Sequence, residues 1–158
     1  MRTNSARARS DARSGAPISP MPERTPPSNL LALAQDAART HSLPRELVCA
    51  VIEQESGLDC WAARYEPAFY KRYIEPLLAA PQAPAETEAR MRAFSWGLMQ
   101  VMGQVAREHG FSGRSLAQIC EPASGIEIGC RVLAAKLAAA GGNITRALLL
   151  WNGGGNHD

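Results

Sequence analysis

The stretch Pro44-Arg-Glu-Leu-Val-Cys-Ala-Val-Ile-Glu-Gln-Glu-Ser-Gly57 decides how this chain folds. Proline at the first position of a helix gives up only an N–H that has no partner there, and glycine supplies the left-handed stop, so the spacing predicts a helix from Pro44 to about Ser56. Leu47, Val51 and Glu55 are four residues apart and share one face. Two of them seek the core, and the third is a carboxylate carried along. Desolvation at that position favours the neutral acid, the form a general acid needs at neutral pH. Glu53 points elsewhere and reads as the solvent-facing contrast.

Working outward, the periodicity is helical almost throughout, and no alternating run between turn signals demands a sheet. The expectation is an all-α domain. Ser28 or Asn29 caps a first helix through about His41, with Leu30, Leu33, Ala34 and Ala37 on one stripe. Residues 61–93 read as an insertion holding an aromatic cluster (Trp61, Tyr65, Phe69, Tyr70, Tyr73) and a loop at Pro81–Glu86 before a short polar helix. A further helix is expected from about Gly97 to Gly110, with Leu98, Val101, Met102, Val105 and His109 at helical spacing. From Pro122 to Ala140 the residues Ile126, Cys130, Leu133 and Leu137 trace a buried stripe that Gly141 and Gly142 end. A last helix spans Thr145 to Trp151.

The 158 residues fit one domain with one core, and 46% hydrophobic against 20% charged residues exclude wholesale disorder and fibrous classes. No stretch approaches 18 apolar residues, so no membrane span is expected. Residues 1–28 are expected to form a disordered, basic, proline-rich leader ahead of a catalytic domain at 29–158. Residues 1–29 carry five of the 17 basic residues, two of the 15 acidic ones and five of the 11 prolines. Without interleaved aromatics these arginines do not specify nucleic acid, and without an apolar h-region the segment is no secretory signal. The four cysteines, at 49, 60, 120 and 130, include no Cys-x-x-Cys and no nearby histidine pair, so no metal is expected. Cys49 reads as a small buried hydrophobe, and Cys120 and Cys130 flank a Pro-Ala-Ser-Gly turn that brings them together if it closes. No serine or cysteine nucleophile lies beside a histidine in a recognised motif.

Three separated signals occur in order: Glu55-Ser56-Gly57, Gly97-Leu98-Met99-Gln100, and Trp151-Asn152-Gly153-Gly154. Together they resemble the soluble (SLT) type of lytic transglycosylase, whose goose-lysozyme-like catalytic domain carries Glu-Ser, Gly-Leu-Met-Gln and aromatic-Asn-Ala-Gly motifs. The resemblance covers roughly residues 29–155. It implies a lysozyme-like helical domain that cleaves the β-1,4 bond between N-acetylmuramic acid and N-acetylglucosamine in peptidoglycan, forming a 1,6-anhydro ring without any cofactor. Glu55 matches the acid/base. Ser56, Gly97, Leu98, Met99, Gln100, Trp151 and Asn152 match substrate-contacting positions, with Met99 as a flexible apolar wall. Two departures stand out. Trp151 replaces the usual tyrosine, which takes away a hydroxyl able to hydrogen-bond the catalytic carboxyl, and Gly153 replaces alanine. The family pattern also continues into a tyrosine-containing segment and a closing helix, whereas six residues follow Asn152 here.

Glu66, next to Pro67, has two readings: a residue at a helix start, where negative charge is favoured, or a second carboxylate serving a hydrolytic muramidase on the same fold. Tyr65 and the other aromatics likewise read as a sugar-stacking wall or as a satellite core. A weakly active glycan-binding or assembly component is the non-enzymatic alternative. The expected partner is the peptidoglycan strand, met by a monomer outside the cytoplasm. With no signal peptide, a bacteriophage or a secretion or conjugation apparatus is the expected carrier.

Overall fold

Gly57, at φ +57°, ends the helix that opens after Pro44, and a computed structural model, which describes residues 26–153, builds the rest around that helix. Helix α1 (Leu30–Thr40) and α2 (Arg45–Ser56) form a hairpin. Pro44 stands one residue outside α2, as its N-cap. In α1 the buried residues are Leu30, Ala34 and Ala38, with Leu33 and Ala37 packed at the margin, as the stripe requires. The expected leader at 1–28 falls largely outside the described residues.

The chain then makes a short strand, β1 (Ala63–Tyr65), a single turn α3 (Pro67–Phe69), a π-helical segment (Tyr70–Ile74) and a 3-10 segment (Glu75–Ala79). After the expected loop comes α4 (Glu86–Arg92), followed by β2 (Phe94–Trp96), β3 (Val101–Met102) and α5 (Gly103–Glu108). A 3-10 turn (Leu116–Cys120) leads into α6 (Pro122–Ala139), and α7 (Ile144–Trp151) ends the described fold. Helix α6 is the hub, packing against α1, α7, α5, β3 and the 3-10 turn. Its Ile126, Cys130 and Leu133 are buried and Leu137 packs against the core. No helix of the described residues is long and apolar enough to cross a membrane.

The domain is mostly helical, as the periodicity requires, with one addition. Strands β1, β2 and β3 form an antiparallel sheet in that order, pairing Arg64 with Ser95 and Ser95 with Met102. The helix expected from Gly97 to Gly110 is corrected. Residues 97–100 are a turn between strands, and the helix is confined to 103–108. Gly97 at φ +67° and Gln100 at φ +47° occupy left-handed backbone that no α-helix contains. The expected Pro122–Gly125 turn is also corrected. It is the opening of α6, with Pro122 in the first turn, so it joins Cys120 and Cys130 through a helix, and both are buried in the main core.

The aromatic cluster divides. Tyr65, Phe69 and Tyr70 pack on a satellite core of Ile74, Ala89 and Ala93, and the Tyr65 ring lies 5.2 Å from that of Phe94. Trp61 stands apart, 60% exposed.

Candidate active site

The last turn of α2 carries the carboxylate to the edge of the core. Val51, one turn earlier, is buried; Glu55 is half-buried; Glu53 is exposed. The amphipathic α7, started by the Asn143 side chain accepting from the Arg146 amide at 2.9 Å, delivers Trp151 to the same place. The indole Nε1–H donates to Glu55 Oε1 at 2.8 Å, across 96 residues of sequence. The tryptophan therefore does not remove a donor from the carboxyl, as the missing hydroxyl suggests; it supplies one. Because indole N–H donates and never accepts, Oε1 is held as an acceptor and an acidic proton is directed to Oε2.

Glu55 and Trp151 line a cleft of about 480 Å³, within the range of small-ligand sites. One wall comes from the helices: Val132 and Lys136, one turn apart on α6, and Leu150 to Gly153 at the end of α7. The other comes from the sheet. The register sets Arg64, Ser95 and Met102 side by side on one face, and all three reach the cleft. Ser95 is the buried polar residue of that row, and its hydroxyl donates to Gln100 Oε1 at 2.9 Å. Gln100 Nε2 in turn donates to the carbonyls of Gly97 at 2.9 Å and Ala62 at 3.1 Å. One side chain thus ties the turn to the middle strand and to the residue that leads into β1, and itself lines the cleft.

The candidate residues fall into two groups. Glu55, Glu66, Gln100, Trp151 and Asn152 meet around the cleft. Asn152 caps α7 through its backbone N–H to Leu148 at 3.0 Å. Glu66 precedes α3, as its helix-start reading requires, and accepts from Arg64 Nε at 2.6 Å. Ser56, Gly97, Leu98, Met99 and Tyr65 are not among the lining residues. The Ser56 hydroxyl bonds back to Ile52 O at 3.1 Å, and the Tyr65 hydroxyl lies 3.5 Å from Arg90 Nη1. Leu98 and Met99 are 1% and 0% exposed, which corrects the expectation that Met99 forms a cleft wall. Met99 instead seats against Gly129 of α6, where an added Cβ would run into its sulfur.

Arg64, Ser95, Val132 and Lys136 escaped the reading of the sequence. Val132 and Lys136 sit at i and i+4, beside the longer apolar stripe of Ile126, Cys130, Leu133 and Leu137 that dominates the helix. Arg64 and Ser95 become neighbours only through the sheet register.

A family model described as the transglycosylase SLT domain matches residues 32–158. No curated protein and no solved structure matches the chain.

Proposed function

Because the chain belongs to the transglycosylase SLT domain family, which acts on peptidoglycan, we propose that it is a lytic transglycosylase with Glu55 as its single acid/base. The observation that carries this reading is the Trp151–Glu55 hydrogen bond inside a cleft bounded by Gln100 and Asn152.

In the proposed reaction a strand lies along the cleft with the bond from N-acetylmuramic acid to N-acetylglucosamine over Glu55. Oε2 gives its proton to the glycosidic oxygen, and the C1–O bond breaks as positive charge develops at C1. The carbonyl oxygen of the 2-acetamido group on the same sugar stabilises that charge. Glu55, now a carboxylate, takes the proton of the C6 hydroxyl, whose oxygen bonds to C1. The products are a 1,6-anhydro end and a free N-acetylglucosamine 4-hydroxyl, and the acid is regenerated. Trp151 keeps the carboxyl oriented through both proton transfers, since its donor serves the acid and the anion alike. Half-burial of Glu55 supports the role by limiting competing water.

Action on the cell wall puts the reaction outside the cytoplasm, and a phage particle or a secretion or conjugation apparatus is the proposed carrier. A hydrolytic outcome is the second reading, favoured by Glu66 lining the same cleft. Against it, the Arg64 guanidinium already engages Glu66, leaving it poorly placed to activate water. Digestion of purified sacculi in isotopically heavy water decides. The proposal predicts anhydro ends with no heavy oxygen, whereas reducing ends carrying the label would establish hydrolysis.

A further inference from the structure

Three lysine or arginine side chains among the described residues are half-buried: Arg92, Arg107 and Lys136. Arg92 and Arg107 share the carboxylate of Glu88, at 3.1 and 2.8 Å. Lys136 has no carboxylate partner among the described residues, yet it lines the cleft, one helical turn beyond Val132 on α6. The two carboxylates of that cleft are engaged elsewhere, Glu55 by Trp151 and Glu66 by Arg64. The Glu66 pairing also neutralises the cleft's other cation. What remains is a half-buried lysine on the cleft wall that no carboxylate of the described residues pairs with. An anion that enters the cleft meets there a cation with no ion pair to give up.

We propose that Lys136 is a carboxylate-binding residue of this cleft, which makes the protein select strands whose muramic acid sugars carry an acid over neutral chitin-like strands. The proposal rests on the peptidoglycan reading above and adds the feature of the substrate that is recognised. Along a peptidoglycan strand every second sugar bears a 3-O-lactyl ether. Its carboxylate is free when the peptide stem is absent, and when the stem is present carboxylates of the stem replace it. Both sources offer the same chemistry to an ammonium. A strand of N-acetylglucosamine alone offers neither.

The test is equilibrium binding to full-length Glu55→Gln protein, which leaves the strands uncut. Three probes are compared: chito-oligosaccharide, stem-free glycan strands and stem-bearing strands of matched length. The proposal predicts that at least one acidic strand binds about tenfold more tightly than chito-oligosaccharide, and that Lys136→Met reduces this ratio to within about twofold while Lys136→Arg keeps most of it. A preference for stem-free strands assigns the lactyl carboxylate, and a preference confined to stem-bearing strands assigns the stem. A ratio that survives Lys136→Met in protein with unchanged circular dichroism overturns the proposal alone. Binding of none of the three probes overturns it together with the peptidoglycan reading.

Discussion

Trp151 is where a single side chain sets the chemistry. Trp151→Phe keeps a large aromatic ring at the end of α7 but deletes the N–H that holds Glu55 Oε1. The expected result is a kcat reduced about 10- to 100-fold, with KM and thermal midpoint little changed, read from steady-state release of soluble fragments. A loss confined to KM would mean that the indole serves only as a wall. Cys130 provides a second residue-scale prediction. Burial chiefly, with the nearby charges of Glu127 and Cys49, pushes its thiol up to about 12. Since the thiolate is the nucleophile, iodoacetamide at pH 8 should leave Cys130 unmodified in the folded protein and label it after denaturation, as followed by peptide mass. Glu55 was legible because four-residue spacing tied it to Leu47 and Val51. Trp151 came into view beside it only through the family resemblance, because a hydrogen bond spanning 96 residues leaves no local trace.

At the scale of the element, the turn from Gly97 to Gln100 holds the sheet wall of the cleft. A Cβ at position 97 would lie 2.5 Å from the Ile119 carbonyl oxygen, and the backbone there is left-handed. Gly97→Ala is therefore expected to destabilise the fold by about 2–4 kcal/mol, measured by urea denaturation, since backbone rather than a flexible side chain must yield. Gln100→Ala should cost about 1–3 kcal/mol by leaving Ser95 and two carbonyls short of partners. This element is also where periodicity misled. Leu98, Val101, Met102 and Val105 satisfy helical spacing, yet the glycine and the glutamine adopt positive φ, and the Gln100 side chain closes the bonds a helix would have made with backbone. Helices α1, α2, α6 and α7 were legible because long apolar stripes with caps leave few alternatives. Strands of two or three residues are too short for alternation to register.

For the whole molecule, the insertion and the helical body are joined by a charged cluster. Glu88 on α4 accepts from Arg107 on α5 at 2.8 and 3.2 Å and from Arg92 at 3.1 Å, while Arg107 also donates to the carbonyls of Phe111 and Gly113 at 2.7 and 2.8 Å. The hydrogen bonds from Arg107 foremost, then those from Arg92, hold the Glu88 carboxyl below the usual carboxylate value against the opposing effect of burial. Its folded pKa is thus lower than its unfolded one. The stability it contributes is fully present above the ordinary carboxylate pKa and is lost as pH falls through the folded value. Glu88→Gln is expected to cost about 1–2 kcal/mol at pH 7, with the difference from the parent protein shrinking in strong acid, as read from urea midpoints across pH. A difference that stays constant with pH would show that the pair contributes packing rather than charge.

The most direct test of the central claim is sacculus lysis by purified Glu55→Gln protein compared with the parent protein, with circular dichroism and strand binding measured on both samples. Glu55 as the single acid/base predicts a folded, strand-binding variant that clears no turbidity and releases no anhydro fragments. Clearing at an appreciable fraction of the parent rate would contradict it and move the proton donor elsewhere in the cleft.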